Sequence, residues 1–402
     1  MQDTAALSDE FPKNIRYNIL FLTKWYPNKF DPQLGIFVKK HAKAVSAYGN
    51  VKVLYICADD SLKSACETII YTQKHFTEIT VYYKKNSSLF KGFINLFRYI
   101  NATRMGMREV QKSWRKIDLI HANVLVRTGL IALFIKKLKG IPYIITEHWT
   151  GYVSGKYEKQ PFLKKWFTKL IIKNANVITT VSDNLRKKML KLGLNGNYRV
   201  VPNIIESIEL SSSQNEYDGR KKIKILTIAD LADSHKNISG IIKAIAHIYQ
   251  QNNSHIEYHI IGDGPDMSML CGLAGSVQGI DKVIFFHGRQ PNEYIYDFLK
   301  QIDFVIINSN FETFSVVAAE ALINGKPVIS TICGGPEEFI TPDCGILIEP
   351  GDQKQLEDAI GKMIATYREY DALKLNRYIT EKYSYQIVGH QFYSIYKEII
   401  QH

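Results

Sequence analysis

The sequence predicts an α/β protein of two parallel-sheet units with a cleft between them, on three observations. Short β-rich runs alternate with longer amphipathic ones along most of the 402 residues. That rhythm is the mark of βαβ crossovers, which lay helices on both faces of a parallel sheet. It stops over 206–222, where Ser211, Ser212, Ser213, Gln214, Asn215, Asp218 and Gly219 leave no apolar period. The charge changes sign at the same place. Up to Pro202 there are 34 Lys and Arg against 13 Asp and Glu, a balance of +21; from Asn203 on, 17 against 26, a balance of −9.

In the first unit, strands are expected over 17–23, 51–58, 118–122, 143–147, 177–182 and 199–201, each a short apolar run. Helices are expected between them over 36–48, 128–138, 162–173 and 184–192. The longest apolar stretch, 119–135, contains His121, Asn123 and Arg127. It reads as strand, turn and helix, since a membrane span needs about 20 mostly apolar residues. In the second unit, strands are expected over 223–229, 256–262, 282–286, 304–308, 327–332 and 345–348. Helices fall over 238–250, 294–300 and 316–323, and further helices run from 355 to about 398.

Composition narrows the function classes. With 46% hydrophobic and 22% charged residues, the chain is neither disordered nor fibrous. Residues 1–10 lack a basic start and an apolar run, so they read as a short lead, not a secretory signal. Cys57, Cys66, Cys271, Cys333 and Cys344 are scattered and form no C-x-x-C pair. That fits a reducing cytoplasm and argues against a disulfide framework or thiolate zinc site. The basic first half should be drawn to a polyanion: lipid headgroups, an anionic acceptor or nucleic acid.

The segment NSNFETFSVVAAEALINGKPVISTICGGPEE, 308–338, carries the chemistry. A strand ends at Glu312, Thr313, Phe314 and Ser315, and the following helix start presents free backbone N–H groups, which bind phosphate. Glu312 lies before that helix and Glu320 within it, about two turns deeper. Two carboxylates so spaced can hold the hydroxyls of a sugar and a ribose around one pyrophosphate.

This segment resembles the E-x7-E region of retaining, family 4 type glycosyltransferases of GT-B fold. Gly325-Lys326-Pro327-Val328-Ile329 is similar to that family's G-x-P-V strand and Gly334-Gly335-Pro336-Glu337 to its G-G-x-x-E turn. The stretch 345–352, Gly262-Asp263-Gly264-Pro265 and Phe286-His287-Gly288 resemble further motifs, as do Trp25-Tyr26-Pro27 with Gly35-Ile36-Phe37, and Thr146-Glu147-His148. The ordered set covers residues 17 to about 352 and is far more specific than a lone E-x7-E.

The resemblance implies two facing Rossmann-like domains with a central cleft: 1–203 for the acceptor, 204–384 for the donor, and a helix, 385–402, crossing back. It implies retaining transfer of a hexose-like sugar from a UDP- or GDP-linked donor to a glycan or lipid-linked acceptor, in surface polysaccharide or glycolipid assembly. Glu320 would bind the ribose and Glu312 the transferred sugar. The amides at Thr313, Phe314, Ser315 and Val316 would hold the diphosphate, and Lys236 would neutralise the departing phosphate. Gly35 would admit the phosphates to the N-terminal loop, and His148 would lie near the reacting carbon or the acceptor. No metal and no cofactor is implied. Asp230 stands where the family carries an Arg.

Two first-half stretches interleave bases and aromatics: Lys84 to Arg108, with Phe90, Phe93 and Phe97 at helical spacing, and Lys156 to Lys169. Each can be a core face with solvated lysines, while the +21 balance favours an anionic membrane surface for at least one. The expected location is the cytoplasm, peripheral at the inner face of the membrane. His121, His247, His255, His259, His287 and His390 are expected to be structural. Rival readings are a sugar-nucleotide epimerase or phosphorylase of similar fold, an inactive sugar-nucleotide-binding subunit, and a basic nucleic-acid-binding protein. The last carries no reader motif, so nucleic acid is not the expected partner.

Overall fold

A computed structural model describes residues 16–86, 91–210, 222–251 and 255–401. The expected lead over 1–10, Phe90 and most of the expected linker lie outside the described residues. The first part of the chain runs β1 (Asn18–Thr23), α1 (Ile36–Ser46), β2 (Asn50–Ala58), β3 (Cys66–Gln73), β4 (Phe76–Tyr83), α2 (Lys91–Ser113), β5 (Leu119–Asn123), α3 (Leu125–Lys139), β6 (Tyr143–Glu147), α4 (Phe162–Asn174), β7 (Val177–Thr180), α5 (Asp183–Lys191) and β8 (Tyr198–Val200). These strands make one sheet in the order β3-β4-β2-β1-β5-β6-β7-β8. β1 pairs in parallel with β2 and β5, Ile19 facing Val51 on one side and Leu119 on the other. Ile19, Leu20 and Phe21 are all fully buried, as both faces of a helix-covered parallel sheet require.

The sheet is not wholly parallel as expected. β3 and β4 form an antiparallel hairpin, Gln73 paired with Phe76, and β4 then joins β2 in parallel. A two-residue connection can only join antiparallel strands. Ile69, Ile70 and Tyr71 on the edge strand are about half exposed, so the run shows no buried alternation. The ring face of α2 also differs from a core face. Ala102 and Val110 are buried and Gly106 lies against Leu54, while Phe93 and Phe97 point outward. In the second basic stretch, Phe162, Leu163 and Trp166 are likewise exposed.

The second part runs β9 (Ile223–Ile228), α6 (Asp233–Lys236), α7 (Ile238–Gln250), β10 (Ile256–Ile261), α8 (Met267–Gly275), β11 (Ile284–Phe286), α9 (Asn292–Lys300), β12 (Phe304–Ile307), α10 (Val316–Ile323), β13 (Val328–Thr331), β14 (Gly345–Ile348), α11 (Gln353–Thr366), α12 (Ala372–Tyr383) and α13 (Tyr385–Gln401). Its sheet, β11-β10-β9-β12-β13-β14, is parallel throughout. Ile238, Ile241, Ile242 and Ile245 of α7 pack on Ile225, Tyr258 and Ile260, with Ile360 and Met363 of α11 in the same core. Each such side chain contributes about 1.5–3 kcal/mol when fully buried.

Two compact units result. One holds the chain up to Glu147 with Trp166–Thr179 and Gly389–His402; the other holds His148–Lys165 and Thr180–Val388. The later turns of α13 thus belong with the first unit. There His121 Nδ1 and the Tyr396 hydroxyl are hydrogen-bonded at 2.7 Å, and a Cβ on Gly389 would stand 2.8 Å from the Ala44 carbonyl oxygen. Among the described residues no helix is long and apolar enough to cross a membrane.

Candidate functional site

The second unit assembles the site at the carboxyl ends of its strands. β12 delivers the loop 308–315, and α10 starts from Ser315, whose backbone is left-handed (φ 70, ψ 75). An N-cap serine normally sits in the extended region so that its oxygen can reach the second or third amide. Here the side chain makes no capping bond. The helix start therefore keeps its partial positive charge and amide donors for another acceptor. Phe314 holds the turn by packing its buried ring on Phe339 and Tyr383, 5.4 and 5.3 Å between centroids.

Gly335 closes the turn from the other side. A Cβ there would stand 2.6 Å from the Phe314 backbone. Gly334, at φ +119, would place one 2.1 Å from Asn184 Nδ2 and 2.9 Å from the Glu312 carbonyl oxygen. The G-G turn is thus required by the lack of space. Gly262 shows the same logic, since a Cβ would fall 1.8 Å from the Ala229 carbonyl oxygen.

Glu312 is buried, and its Oε1 accepts from Lys236 Nζ at 2.5 Å and from Ser309 Oγ at 2.8 Å. Its amide donates to the Cys333 carbonyl at 2.8 Å. Lys236 is placed by the last turn of α6 and by Asn237, whose left-handed backbone (φ 46) turns the chain into α7. His235 binds this corner to the loop. Its ring stacks on Phe311 at 4.1 Å and its Nε2 donates to the Phe311 carbonyl at 2.8 Å. Burial, then Lys236, lowers the His235 pKa below the ordinary imidazole value, so the ring is neutral near pH 7. Asn310 donates to the Ser234 carbonyl and Asn308 to the Asn237 carbonyl.

Lys236, Glu312, Thr313, Phe314, Ser315 and Val316 are therefore brought together. One expectation about them changes. Glu312 does not stand open at the mouth; it is buried against Lys236, because an isolated carboxylate there would be costly. Asp230 is exposed. Glu320 is half-buried on α10, and the Tyr296 hydroxyl donates to it at 3.4 Å. Burial, followed by the charge of Glu320, raises the Tyr296 pKa.

Gly35 lies in the first unit. It opens α1 with φ 63 and no side-chain cap, and a Cβ would stand 2.4 Å from the Trp25 carbonyl carbon and oxygen. Only glycine fits. His148 is buried directly after β6, and Glu147 before it is also buried, accepting from the Leu125 amide at 3.2 Å.

His235 and Tyr296 carry no signal of their own in the sequence, since each works through a residue distant in the chain, Phe311 and Glu320. Glu338 is another such residue. Its carboxylate accepts from the Asp183 and Asn184 amides at 2.9 and 2.7 Å, closing the start of α5. Burial raises its pKa.

Comparison with known proteins adds the following. Residues 41–207 match the family Glycosyltransferase Family 4, and residues 209–381 match Glycosyl transferases group 1. An MMP alpha-(1->4)-mannosyltransferase of Mycolicibacterium hassiacum is 23% identical over 304 residues, 70% of this chain and 71% of its own. The structure of a sucrose-phosphate synthase from Thermosynechococcus elongatus superposes with a TM-score of 0.74 at 17% identity, covering 96% of this chain and all of that one. An Anabaena protein solved in complex with UDP superposes with a TM-score of 0.68 at 16% identity, covering 95% and 100%.

Proposed function

The chain belongs to the family 4 type glycosyltransferases of GT-B fold, and from that premise we propose that it moves a hexose-like sugar, with retention of configuration, from a nucleoside diphosphate donor to a glycan or lipid-linked acceptor in surface polysaccharide or glycolipid assembly. The acceptor is assigned to residues 1–203, the donor to 204–384, and 385–402 to the helix that returns to the first unit. The observation that carries the reading is the Lys236–Glu312 pair beside the uncapped start of α10. Amides from 313 to 316 and the helix charge hold the diphosphate. UDP bound to the Anabaena protein of like fold supports a donor of this chemistry, and a GDP-linked sugar is the alternative donor.

In this mechanism Lys236 leaves Glu312 for the phosphate oxygens as the glycosidic bond breaks. A cation that meets charge only as it develops stabilises the transition state more than the ground state. Glu312, released from that ion pair, accepts from the hydroxyls of the transferred sugar. Glu320 accepts from the ribose, and the Tyr296 hydroxyl fixes its carboxylate. His148 orients the acceptor near the reacting carbon. The leaving phosphate takes the acceptor proton on the face that the acceptor enters, which gives retention.

The test pairs two measurements. Proton NMR of the product made from UDP- and GDP-sugars reads the anomeric configuration, and an inverted product would remove retention. Lys236→Ala is expected to lower turnover about 10²–10³-fold, the scale for removing one strong charge-stabilising group. Less than a threefold drop in an active preparation would remove Lys236 from the phosphate.

A further inference from the structure

We propose that the outward face of α2 seats the first unit on an anionic lipid surface, its apolar turns entering the interface and its later turns holding lipid phosphates. The inference deepens the reading above, because it explains how a lipid-linked acceptor is met. It does not depend on the donor site.

Four of the five exposed large apolar side chains on α2 lie together in its first turns: Phe93 78% exposed, Leu96 56%, Phe97 56% and Ile100 39%, with Met105 further on at 37%. Their spacing of three, one and three residues makes a single stripe on a 3.6-residue helix. The opposite stripe already serves the fold through Tyr99, Ala102, Gly106 and Val110, so the outward one is surplus to packing. It spans about 10 Å along the axis, enough to lie along an interface but not to cross it.

The same face then changes chemistry. Beyond Ile100 it continues with Arg104 and Arg108, whose side chains make no hydrogen bond or ion pair among the described residues. Arg98, Arg104, Arg108, Lys112, Arg115 and Lys116 outnumber two carboxylates, Glu109 and Asp118, over 98–118, and Asp118 is paired with Lys116 at 2.9 Å. Glu109 itself is paired with Lys112 at 2.7 Å.

α3 adds to the surface. Arg127 at its start lies over the Tyr99 ring at 5.7 Å, which ties it to α2. Phe134 and Leu138 on α3 are 64% and 66% exposed, with exposed Lys137 between them. Apolar side chains leading into Arg104 and Arg108 fit the boundary between acyl chains and anionic headgroups.

The full chain is tested by sedimentation with vesicles of phosphatidylcholine, alone or mixed with phosphatidylglycerol. Binding is expected only to the mixed vesicles, with release by added salt as charge interactions beyond about 8 Å are screened. Hydrogen exchange with the mixed vesicles should protect the first turns of α2. Phe93→Glu with Phe97→Glu should weaken binding about tenfold or more, at unchanged melting temperature and unchanged donor hydrolysis in water. Arg104→Gln with Arg108→Gln should weaken binding and flatten its salt dependence.

Equal binding to neutral vesicles, no binding, or unchanged binding by the double glutamate variant would overturn the proposal. So would a lipid-independent dimer abolished by that variant, which would make the face an interface between copies. Absence of donor hydrolysis in every variant and in the parent would count against the proposed activity, and leaves the vesicle result to decide this surface.

Discussion

The starts of α5 and α10 both carry a buried serine, and they are finished in opposite ways. At α5, Ser182 is extended (φ −153, ψ 159) and its oxygen accepts from the Leu185 amide at 3.2 Å. Glu338 takes the two amides before it. At α10, Ser315 is left-handed and caps nothing. The first start is saturated and already meets a carboxylate, so it has neither donors nor unmet charge to offer an anion. The second keeps both. α1 repeats the open form with Gly35. The difference teaches that residue type does not decide whether a helix start is closed; the backbone does. Holding a non-glycine residue at φ 70 costs about 1–3 kcal/mol, a strain that tends to persist at ligand clamps.

Substitutions can break or sharpen this contrast. The largest effect is expected at Gly35. A methyl group 2.4 Å from the Trp25 backbone, on a left-handed residue, should make Gly35→Ala cost about 3 kcal/mol in chemical denaturation. A cost below about 1 kcal/mol would mean that the Trp25 loop yields. Next, Ser182→Ala removes a true cap and should cost about 1 kcal/mol.

Ser315 should behave differently from Ser182. Ser315→Gly relieves the left-handed strain and is expected to stabilise by about 0.5–1 kcal/mol. Ser315→Ala deletes no capping bond and should stay within about 0.5 kcal/mol. If Ser315→Ala proved as costly as Ser182→Ala, the serine would be closing its helix after all, and the contrast would fail.

Much of this architecture was readable residue by residue. The strand at 143–147 and the helices at 238–250 and 316–323 have the expected bounds. Each is a strongly patterned run between clear punctuation, Gly140 and Pro142 before the strand and Gly325 after the last helix. The β3–β4 hairpin was not legible, because its turn is Lys74-His75, without the Gly or Asn of favoured hairpin turns, and because the edge strand buries little. In the site, Glu312, Lys236 and the turn 313–316 stood out by motif. Their ion pair did not, since 76 residues separate the partners. The His235 stack on Phe311 is hidden for the same reason. The outward face of α2 was ambiguous from spacing alone, because a stripe of rings reads the same whether it turns inward or outward.

The carbonyl that receives the Glu312 amide belongs to Cys333, and this position has a chemical corollary. Burial pushes the Cys333 thiol up to about 12, so at neutral pH almost none of it is thiolate. Alkylating reagents and mild oxidants attack the thiolate. They should modify exposed Cys271 first and leave the sulfur nearest the site intact. A fluorophore attached through maleimide at neutral pH should therefore report on α8, and Cys333, after β13, should remain unlabelled.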